Sequence, residues 1–303
     1  MLTVMKFSGP FLIFIAAILW GIDGILRRSL YSLPPITIVF LEHLIGAIIL
    51  LPFFLRIFRK EHLTKKEWWA LAVIALFSGV LGTLFFTTAL AKIHFISFSV
   101  VFLLQKLQPI FTVATAAVVL KERPAKQYWI WAGVAVVAAY FVTFPSGVVN
   151  LATGSGTIIA ALFAVAAALC WGSTTAFSRY TLLNHSNTFI VGMRFLLTTL
   201  IAIPFLFALG GGESALTIGT GQIWKLVAIA LTSGMVALWI YYRGLKSTPA
   251  SVSTIVELAF PLTAVIIDYF LYDTALAASQ YAAAVVLLFA VYKVSRLSRK
   301  IIN

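Results

Sequence analysis

A run of apolar residues from Phe98 to Arg123 is interrupted near its middle by Gln105, Lys106 and Gln108 and by Pro109. Proline has no amide hydrogen and its ring clashes with the preceding turn, so Pro109 deprives the Gln105 carbonyl of its helical partner. A lysine inside a bilayer costs about 2.5–3.5 kcal/mol on insertion scales and therefore faces a partner or a cavity. The chemistry that this pattern indicates is ligand binding at a break in a membrane helix.

A second apolar run, from Ser251 to Asp273, repeats the arrangement with Glu257 and Pro261. Pro261 frees the carbonyl of Glu257 and lies 152 residues after Pro109. A carboxylate at this depth can carry a coupling proton or bind a substrate amine; the alternative is a structural pair with Lys106. Lys106 in turn either neutralises a substrate carboxylate or acts as the counter-ion of a buried acid.

Three further groups of residues are candidates for substrate binding or coupling. Glu42 and His43 are adjacent in an apolar segment, where they suit a proton relay or, alternatively, a hydrogen-bonded packing pair that involves Arg194. Asp23 and Arg27 are four residues apart on one helix face and form either a local pair or an outer gate. Aromatic residues could wall a cavity and bind cations, and the candidates are Trp20, Trp171, Tyr241, Phe85, Phe86 and Trp239.

Composition places all of these residues in a membrane protein. The chain has 303 residues, of which 62% are hydrophobic and 10% charged, whereas soluble domains carry about 25% charged residues. The single Cys170 excludes an intrachain disulfide and offers no zinc framework. The net charge of +13 comes from basic residues in short loops, so it indicates membrane orientation and not a nucleic-acid partner. No phosphate-binding GxxxxGK motif is present, so the chain itself does not couple to ATP.

Apolar segments of about 20 residues predict ten membrane spans. They lie near 9–31, 36–57, 68–90, 95–120, 126–145, 157–180, 188–209, 222–245, 250–272 and 277–295. If the N-terminus is cytoplasmic, sixteen of the 22 Lys and Arg residues lie inside and four outside. The positive-inside rule therefore predicts that both termini are cytoplasmic.

The ten spans form two repeats of five. Several matches recur at offsets of 151 to 155 residues: Trp20-Gly21 with Trp171-Gly172, Pro52 with Pro204, Ser78-Gly79 with Ser233-Gly234, and Glu122 with Asp273. These matches predict a first repeat at residues 7–146 and a second at 153–298. Because five is odd, the second repeat enters the membrane inverted, and a binding site is expected at the repeat interface.

The sequence resembles the drug/metabolite transporter superfamily. It has ten predicted spans in two halves, and each half has Trp-Gly in its first span and a proline in its fourth, followed by an acidic residue. The EamA-type branch is most similar, and the resemblance covers nearly the whole chain. It implies an all-α membrane fold around a central cavity and export of amino acids, related metabolites or toxic cations. The sequence departs from the family pattern at Glu42-His43, where many relatives have arginine. It also departs at Gln108 and Phe260, where glutamate often precedes the proline.

The function predicted from these observations is secondary active transport by alternating access, coupled to protons or to exchange. Amino acids or related small metabolites are the first substrate class, because Lys106 and Glu257 suit a zwitterion, and organic cations or drugs are the second. The competing class, an intramembrane transferase, requires catalytic groups gathered at one membrane face, and a channel explains the charged helix breaks less well. No enzyme activity, metal or cofactor is expected. The expected partners are a small-molecule substrate, protons and the lipid bilayer of the plasma (inner) membrane, with a monomer or a homodimer left open.

Overall fold

The computed structural model describes residues 8–92, 105, 107–121, 125–143, 155–260, 263, 270 and 277–301. Helices and their connections account for all of these residues, and no strand occurs among them. Four residues that the sequence analysis singled out lie outside the described residues: Lys106, Glu122, Pro261 and Asp273.

The helices of the first half are α1 (Gly9–Arg28), α2 (Pro35–Phe58), α3 (Lys65–Val73), a π-helical segment (Ile74–Gly82), α4 (Thr83–Ala91), α5 (Gln108–Val119) and α6 (Lys126–Thr143). Those of the second half are α7 (Ser155–Asn184), α8 (Asn187–Ala208), the short α9 (Gly212–Leu216), α10 (Thr220–Leu231), α11 (Met235–Leu245), α12 (Ala250–Val256), a 3₁₀ turn (Glu257–Ala259) and α13 (Ala278–Ile301).

Five of the described helical stretches are long and apolar enough to cross a membrane. They are Gly9–Arg27, Pro35–Phe58, Lys65–Ala91, Asn187–Ala208 and Thr220–Leu245, with mean hydropathies between 1.8 and 2.4. Large apolar side chains on their outer faces, such as Trp69, Phe207 and Trp224, are exposed, as expected for contact with lipid. The protein is therefore an all-α membrane protein, while the count of ten spans stays a prediction.

Local sequence determines where several helices begin. Thr64 and Glu67 form a capping box at the start of α3, in which the Glu67 carboxylate accepts from the Thr64 amide at 2.8 Å. The Ser186 hydroxyl caps α8 by accepting from the Phe189 amide at 3.2 Å. Pro109 lies in the first turn of α5, where a proline needs no hydrogen-bond partner. The predicted break before Pro109 is thus the start of a helix.

The two halves exchange equivalent contacts. Helix α2 packs on its counterpart α8, and α6 packs on its counterpart α13. Helix α1 packs on α11 and α12, and in the same way α7 packs on α4 and α5. Swapping the halves converts each of these pairs either into itself or into another observed pair, which is the contact pattern of two repeats related by a pseudo-twofold axis.

The duplicated Trp-Gly pairs occupy equivalent positions in this arrangement. Gly21 faces Thr263, whose Cβ lies 2.5 Å from where a Cβ on Gly21 would be. Gly172 lies 151 residues after Gly21 and faces α5 near Thr112. Thr112 in turn lies 151 residues before Thr263. A Cβ on Gly172 would lie 2.6 Å from the carbonyl oxygen of Gln108. Each glycine therefore permits close approach of a helix from the opposite half.

We expect Gly172→Ala to destabilise the protein by about 1–3 kcal/mol, because the added methyl group overlaps backbone atoms of α5 that cannot rotate away. Thermal unfolding in detergent measures the effect. Gly133→Ala is the matched control, since a Cβ there meets nothing within 4 Å. Equal stability of the two variants would contradict the close packing of α5 on α7.

The repeated Ser-Gly pairs mark helix distortions that the sequence analysis did not predict. Ser78 and Gly79 lie in the π-helical segment between α3 and α4. Ser233 and Gly234 lie between α10 and α11, where the Gly234 amide donates to the Ile229 carbonyl at 2.7 Å. The span expected to be continuous over 222–245 is therefore divided, because the backbone at Gly234 leaves helical geometry (φ −82°, ψ −100°). Such distortions occur often at functional sites.

Candidate functional site

A cavity of about 190 Å³ lies between the two halves. Its walls come from α1, α2, the π-helical segment, α4, α5, α7, α8, α11 and α12. The candidates from the sequence that line it are Trp20, Asp23, Arg27, Glu42, His43, Phe86, Gln105, Trp171, Tyr241 and Glu257. Phe85 and Trp239 are not among its lining residues. Lys106, a further candidate, lies outside the described residues. The tertiary structure thus brings together residues that are up to 237 positions apart in the chain.

A buried ionic network forms one part of the cavity wall. The Arg27 side chain donates from Nε to Asp23 and from Nη2 to the Glu42 carboxylate at 2.6 Å. The Ser233 hydroxyl donates to the other Asp23 oxygen at 2.7 Å. All three charged residues are at most 8% exposed. The predicted Asp23–Arg27 pair is therefore part of a larger network that connects both halves, and Glu42 pairs with Arg27.

His43 lies beside this network and contacts a different set of partners. Its Nδ1 is 2.8 Å from the carbonyl oxygen of Val39, and its ring lies 5.0 Å from that of Phe195. The adjacent Arg194 donates from Nη1 to the Tyr242 hydroxyl at 3.0 Å. Helix packing was the alternative reading for Glu42 and His43, yet both side chains also line the cavity.

Glu257 lies at the end of α12, where the helix tightens into a 3₁₀ turn. The Phe260 amide donates to the Glu257 carbonyl, so this turn satisfies the carbonyl that the sequence analysis expected to be unpaired. Gln108 donates its amide to the Glu257 carboxylate at 3.3 Å. The Tyr241 hydroxyl also interacts with this carboxylate and with Ser253 and Thr175. Glu257 therefore connects α12 with α5 and α11 inside the cavity.

Aromatic rings wall the remaining space on two sides. The rings of Trp20 and Tyr241 are 5.1 Å apart, and those of Phe86 and Trp171 are 5.2 Å apart. The Trp171 indole donates to the Ser78 carbonyl at 3.1 Å, which fixes this ring against the π-helical segment. The two tryptophans come from equivalent positions of the two repeats, so the cavity has an aromatic wall from each half.

Sequence reasoning missed the polar residues that complete the site. Arg194 was named only as a packing partner, and Ser178, Ser233 and Tyr242 were not assigned to the cavity. Ser178 lies six residues after Gly172 on α7, and its hydroxyl is 3.0 Å from that of Tyr242. The useful signal was the Ser-Gly repeat, because the serine of each copy, Ser78 and Ser233, lines the cavity.

A second polar cluster connects the halves at a distance from the cavity. The His185 imidazole lies between two carboxylates, with Nδ1 2.7 Å from Glu61 and Nε2 3.1 Å from Glu67. Burial opposes the charge on Glu61, but the hydrogen bonds from His185 and the Ser186 amide prevail and lower the pKa of this carboxyl. The contribution of Glu61 to stability is thus present above its ordinary pKa and is lost as the pH falls through the lowered value.

Comparison with known proteins identifies the class. The sequence matches the EamA-like transporter family at residues 7–144 and again at 158–296. It is 33% identical over 296 residues to a protein of Fusobacterium nucleatum subsp. nucleatum (strain ATCC 23726 / VPI 4351) named "Riboflavin transporter ImpX", covering 96% of this chain and 98% of that one. A solved structure titled "Crystal structure of protein" has the same fold, with a TM-score of 0.72, 15% identity and coverage of 97% of this chain and 99% of that one.

The fold has two membrane-embedded repeats around a polar and aromatic cavity. Together with these matches, it defines a multi-pass membrane transporter. The chain belongs to the EamA-like transporter family. The resemblance that the sequence motifs indicated is therefore confirmed, and the prediction of a transporter agrees with it.

Proposed function

We propose that this protein transports riboflavin or a closely related flavin. The observation that carries the proposal is the cavity itself, in which aromatic rings from both repeats face a group of hydrogen-bonding side chains. The name of the Fusobacterium relative supports the same substrate class.

The chemistry of a flavin suits these walls. Its ring system is flat and uncharged, so it gains from stacking on aromatic side chains, a contact worth about 0.5–1.5 kcal/mol beyond area burial. Trp20 and Tyr241 offer such a surface on one side, and Phe86 and Trp171 offer one on the other. The hydroxylated side chain of the flavin needs donors and acceptors, which Gln105 and Gln108 provide within the same cavity.

A flavin replaces an amino acid as the first substrate class. The zwitterion prediction depended on Lys106 as the partner of a substrate carboxylate, and Lys106 lies outside the described residues. Asp23, Arg27 and Glu42 bond to one another and so offer little to a zwitterion. Organic cations keep some support from Glu257 and the aromatic walls, and both earlier classes remain arms of the transport experiment below.

The proposed cycle is alternating access. The two halves rock about the cavity, which opens to one side of the plasma membrane at a time, and both termini are cytoplasmic. Transport is secondary, with protons or an exchanged solute as the coupling species and with export as the direction. Glu257 is the proposed proton carrier, because its carboxylate lies in the cavity between side chains of both halves. The proposal holds for a monomer or for each subunit of a homodimer.

Transport of riboflavin by purified protein in liposomes tests the proposal. We expect wild type to take up riboflavin, and we expect Trp20→Leu to raise the apparent KM about tenfold by removing a stacking surface. Trp224→Leu is the matched control, since that side chain is 68% exposed and does not line the cavity. Labelled amino acids and organic cations complete the panel. Movement of either class without riboflavin would overturn the flavin proposal.

A further inference from the structure

We propose that two contacts between the halves, one at each membrane face, are the closures that open in turn during transport. The histidine contact joins His185 and Asn184 to the first half, and the glutamine contact joins Gln222 to Ser32. This inference rests on the alternating access of the proposed function and assigns its closures to particular residues. The two closures are unequal, and the stronger histidine contact keeps the empty protein closed at its own face.

The two contacts occupy equivalent positions in the two repeats. Glu67 and Gln222 are each the third residue of a helix, and each side chain accepts from the amide of the residue before that helix. They are 155 residues apart, which is the offset of the repeated Ser-Gly pairs. Their partners in the opposite half, Asn184 and Ser32, are 152 residues apart, which is the offset of the repeated prolines. The pseudo-twofold axis therefore relates one contact to the other.

Helix α2 separates the two contacts. Ser32 lies three residues before this helix, and Glu61, which belongs to the histidine contact, lies three residues after it. The helix has 24 residues and is long and apolar enough to cross a membrane. At 1.5 Å per residue it spans about 36 Å. The contacts therefore lie at opposite membrane faces, and with both termini cytoplasmic the histidine contact is at the inner face.

The histidine contact is charged and largely buried. His185 Nδ1 lies 2.7 Å from Glu61 and Nε2 lies 3.1 Å from Glu67, and the Asn184 amide donates to Glu67 at 3.1 Å. His185 and Glu67 are at most 5% exposed. Hydrogen bonds to charged groups are stronger than those between neutral groups, and burial limits competition from water. Opening the halves at this face is therefore costly.

The glutamine contact is exposed, and its acceptors are a hydroxyl and a backbone carbonyl. Gln222 donates to the Ser32 hydroxyl at 3.1 Å, and the Lys225 ammonium group donates to the Ser29 carbonyl at 3.2 Å. Water competes for such exposed groups, so these bonds add less to the closed state. Since alternating access opens one face at a time, the equilibrium of the empty protein favours the state in which the histidine contact remains closed.

Distances between two spin labels test the closures on the full-length protein in lipid nanodiscs without substrate. The labels are attached at Lys60→Cys in the first half and Arg243→Cys in the second, two exposed positions, after the single native cysteine is replaced by alanine. Lys60 is next to Glu61, and Arg243 lies three residues before Lys246, whose ammonium group donates to the His185 carbonyl at 2.8 Å. The label distance therefore reports opening at the histidine contact.

The closed state gives a short label distance, which should predominate in otherwise unchanged protein. We expect His185→Leu to raise the fraction of molecules with a long distance at least about tenfold, because it removes a buried bond to a carboxylate. Asn184→Ala should raise that fraction about threefold through loss of its bond to Glu67. The Asn184 side chain is exposed, so this variant keeps its fold even where His185→Leu does not.

A change at the equivalent position of the other contact should act in the opposite direction. Ser32→Ala weakens the glutamine contact, so adding it to Asn184→Ala should bring the long-distance fraction back toward that of the unchanged protein. His62→Ala, an exposed histidine next to Glu61, should have no effect. An unchanged fraction in Asn184→Ala would overturn the histidine closure, and a further rise on adding Ser32→Ala would overturn the opposition between the contacts.

The result is independent of which solute is transported. If the label distances shift as expected but no flavin is taken up by the liposomes, the closures stand and the flavin proposal fails. If riboflavin is transported and the label distances stay the same in every variant, flavin transport stands and the closures are overturned.

Discussion

Replacement of Arg27 by leucine is expected to destabilise the folded transporter by about 3–5 kcal/mol, because it leaves two buried carboxylates without their cation. Arg27 is 4% exposed and bonds both Asp23 and Glu42. In water these acids would be solvated, but inside the helix bundle the hydrogen bond that remains to them among the described residues is the one from the Ser233 hydroxyl to Asp23. Reversible unfolding in mixed detergent micelles measures the loss.

Two further variants determine whether charge is the cause. Arg56→Leu is the matched control, since Arg56 is exposed at the end of α2. The triple variant Asp23→Asn, Arg27→Leu, Glu42→Gln removes the network's charges together and should recover most of the lost stability, because no unpaired charge remains. If Arg27→Leu is as stable as Arg56→Leu, the buried network does not contribute as described.

Glu257→Gln is expected to reduce uptake driven by a pH gradient to the level of protein-free liposomes. Glutamine has nearly the shape of glutamate and can still contact Gln108, but it neither takes up nor releases a proton. Exchange of labelled for unlabelled riboflavin across the membrane needs no net proton movement, so it should continue within about twofold of the wild-type rate. A twofold change is small, since a tenfold change in rate corresponds to about 1.4 kcal/mol. Both assays use the same liposomes, so the comparison separates coupling from folding.

Two controls make the result specific to Glu257. Glu213→Gln changes an exposed glutamate on the short helix α9 and should retain gradient-driven uptake. Glu42→Gln tests the other candidate carboxylate, which the structure pairs with Arg27. Gradient-driven uptake by Glu257→Gln at the wild-type rate would rule out Glu257 as the proton carrier, and loss of uptake in Glu42→Gln alone would transfer that role to Glu42.

The buried ionic network shows why some contacts could not be predicted. Asp23 and Arg27 are one helical turn apart, so their pairing follows from spacing alone. The bonds to Glu42 and Ser233 join α1 to α2 and to the α10–α11 connection, and Ser233 is 210 residues from Asp23. Nothing local specifies such a contact. The position of Ser233 depends on the break at Gly234, where the chain departs from the helix that its apolar sequence predicts.

The sequence by itself determined the class of protein, the two repeats and most candidates for the cavity wall. These properties depend on composition, on apolar length and on the recurrence of Trp-Gly, Ser-Gly and proline positions, all of which are local or periodic. Only the tertiary structure decided which polar groups meet. Glu42 pairs with Arg27, whereas the sequence had suggested Arg194 only as one alternative partner, and the Glu257 carboxylate meets Gln108, 149 residues away. Such choices arise because helices from opposite halves pack together and each buried polar group must find a partner across that interface.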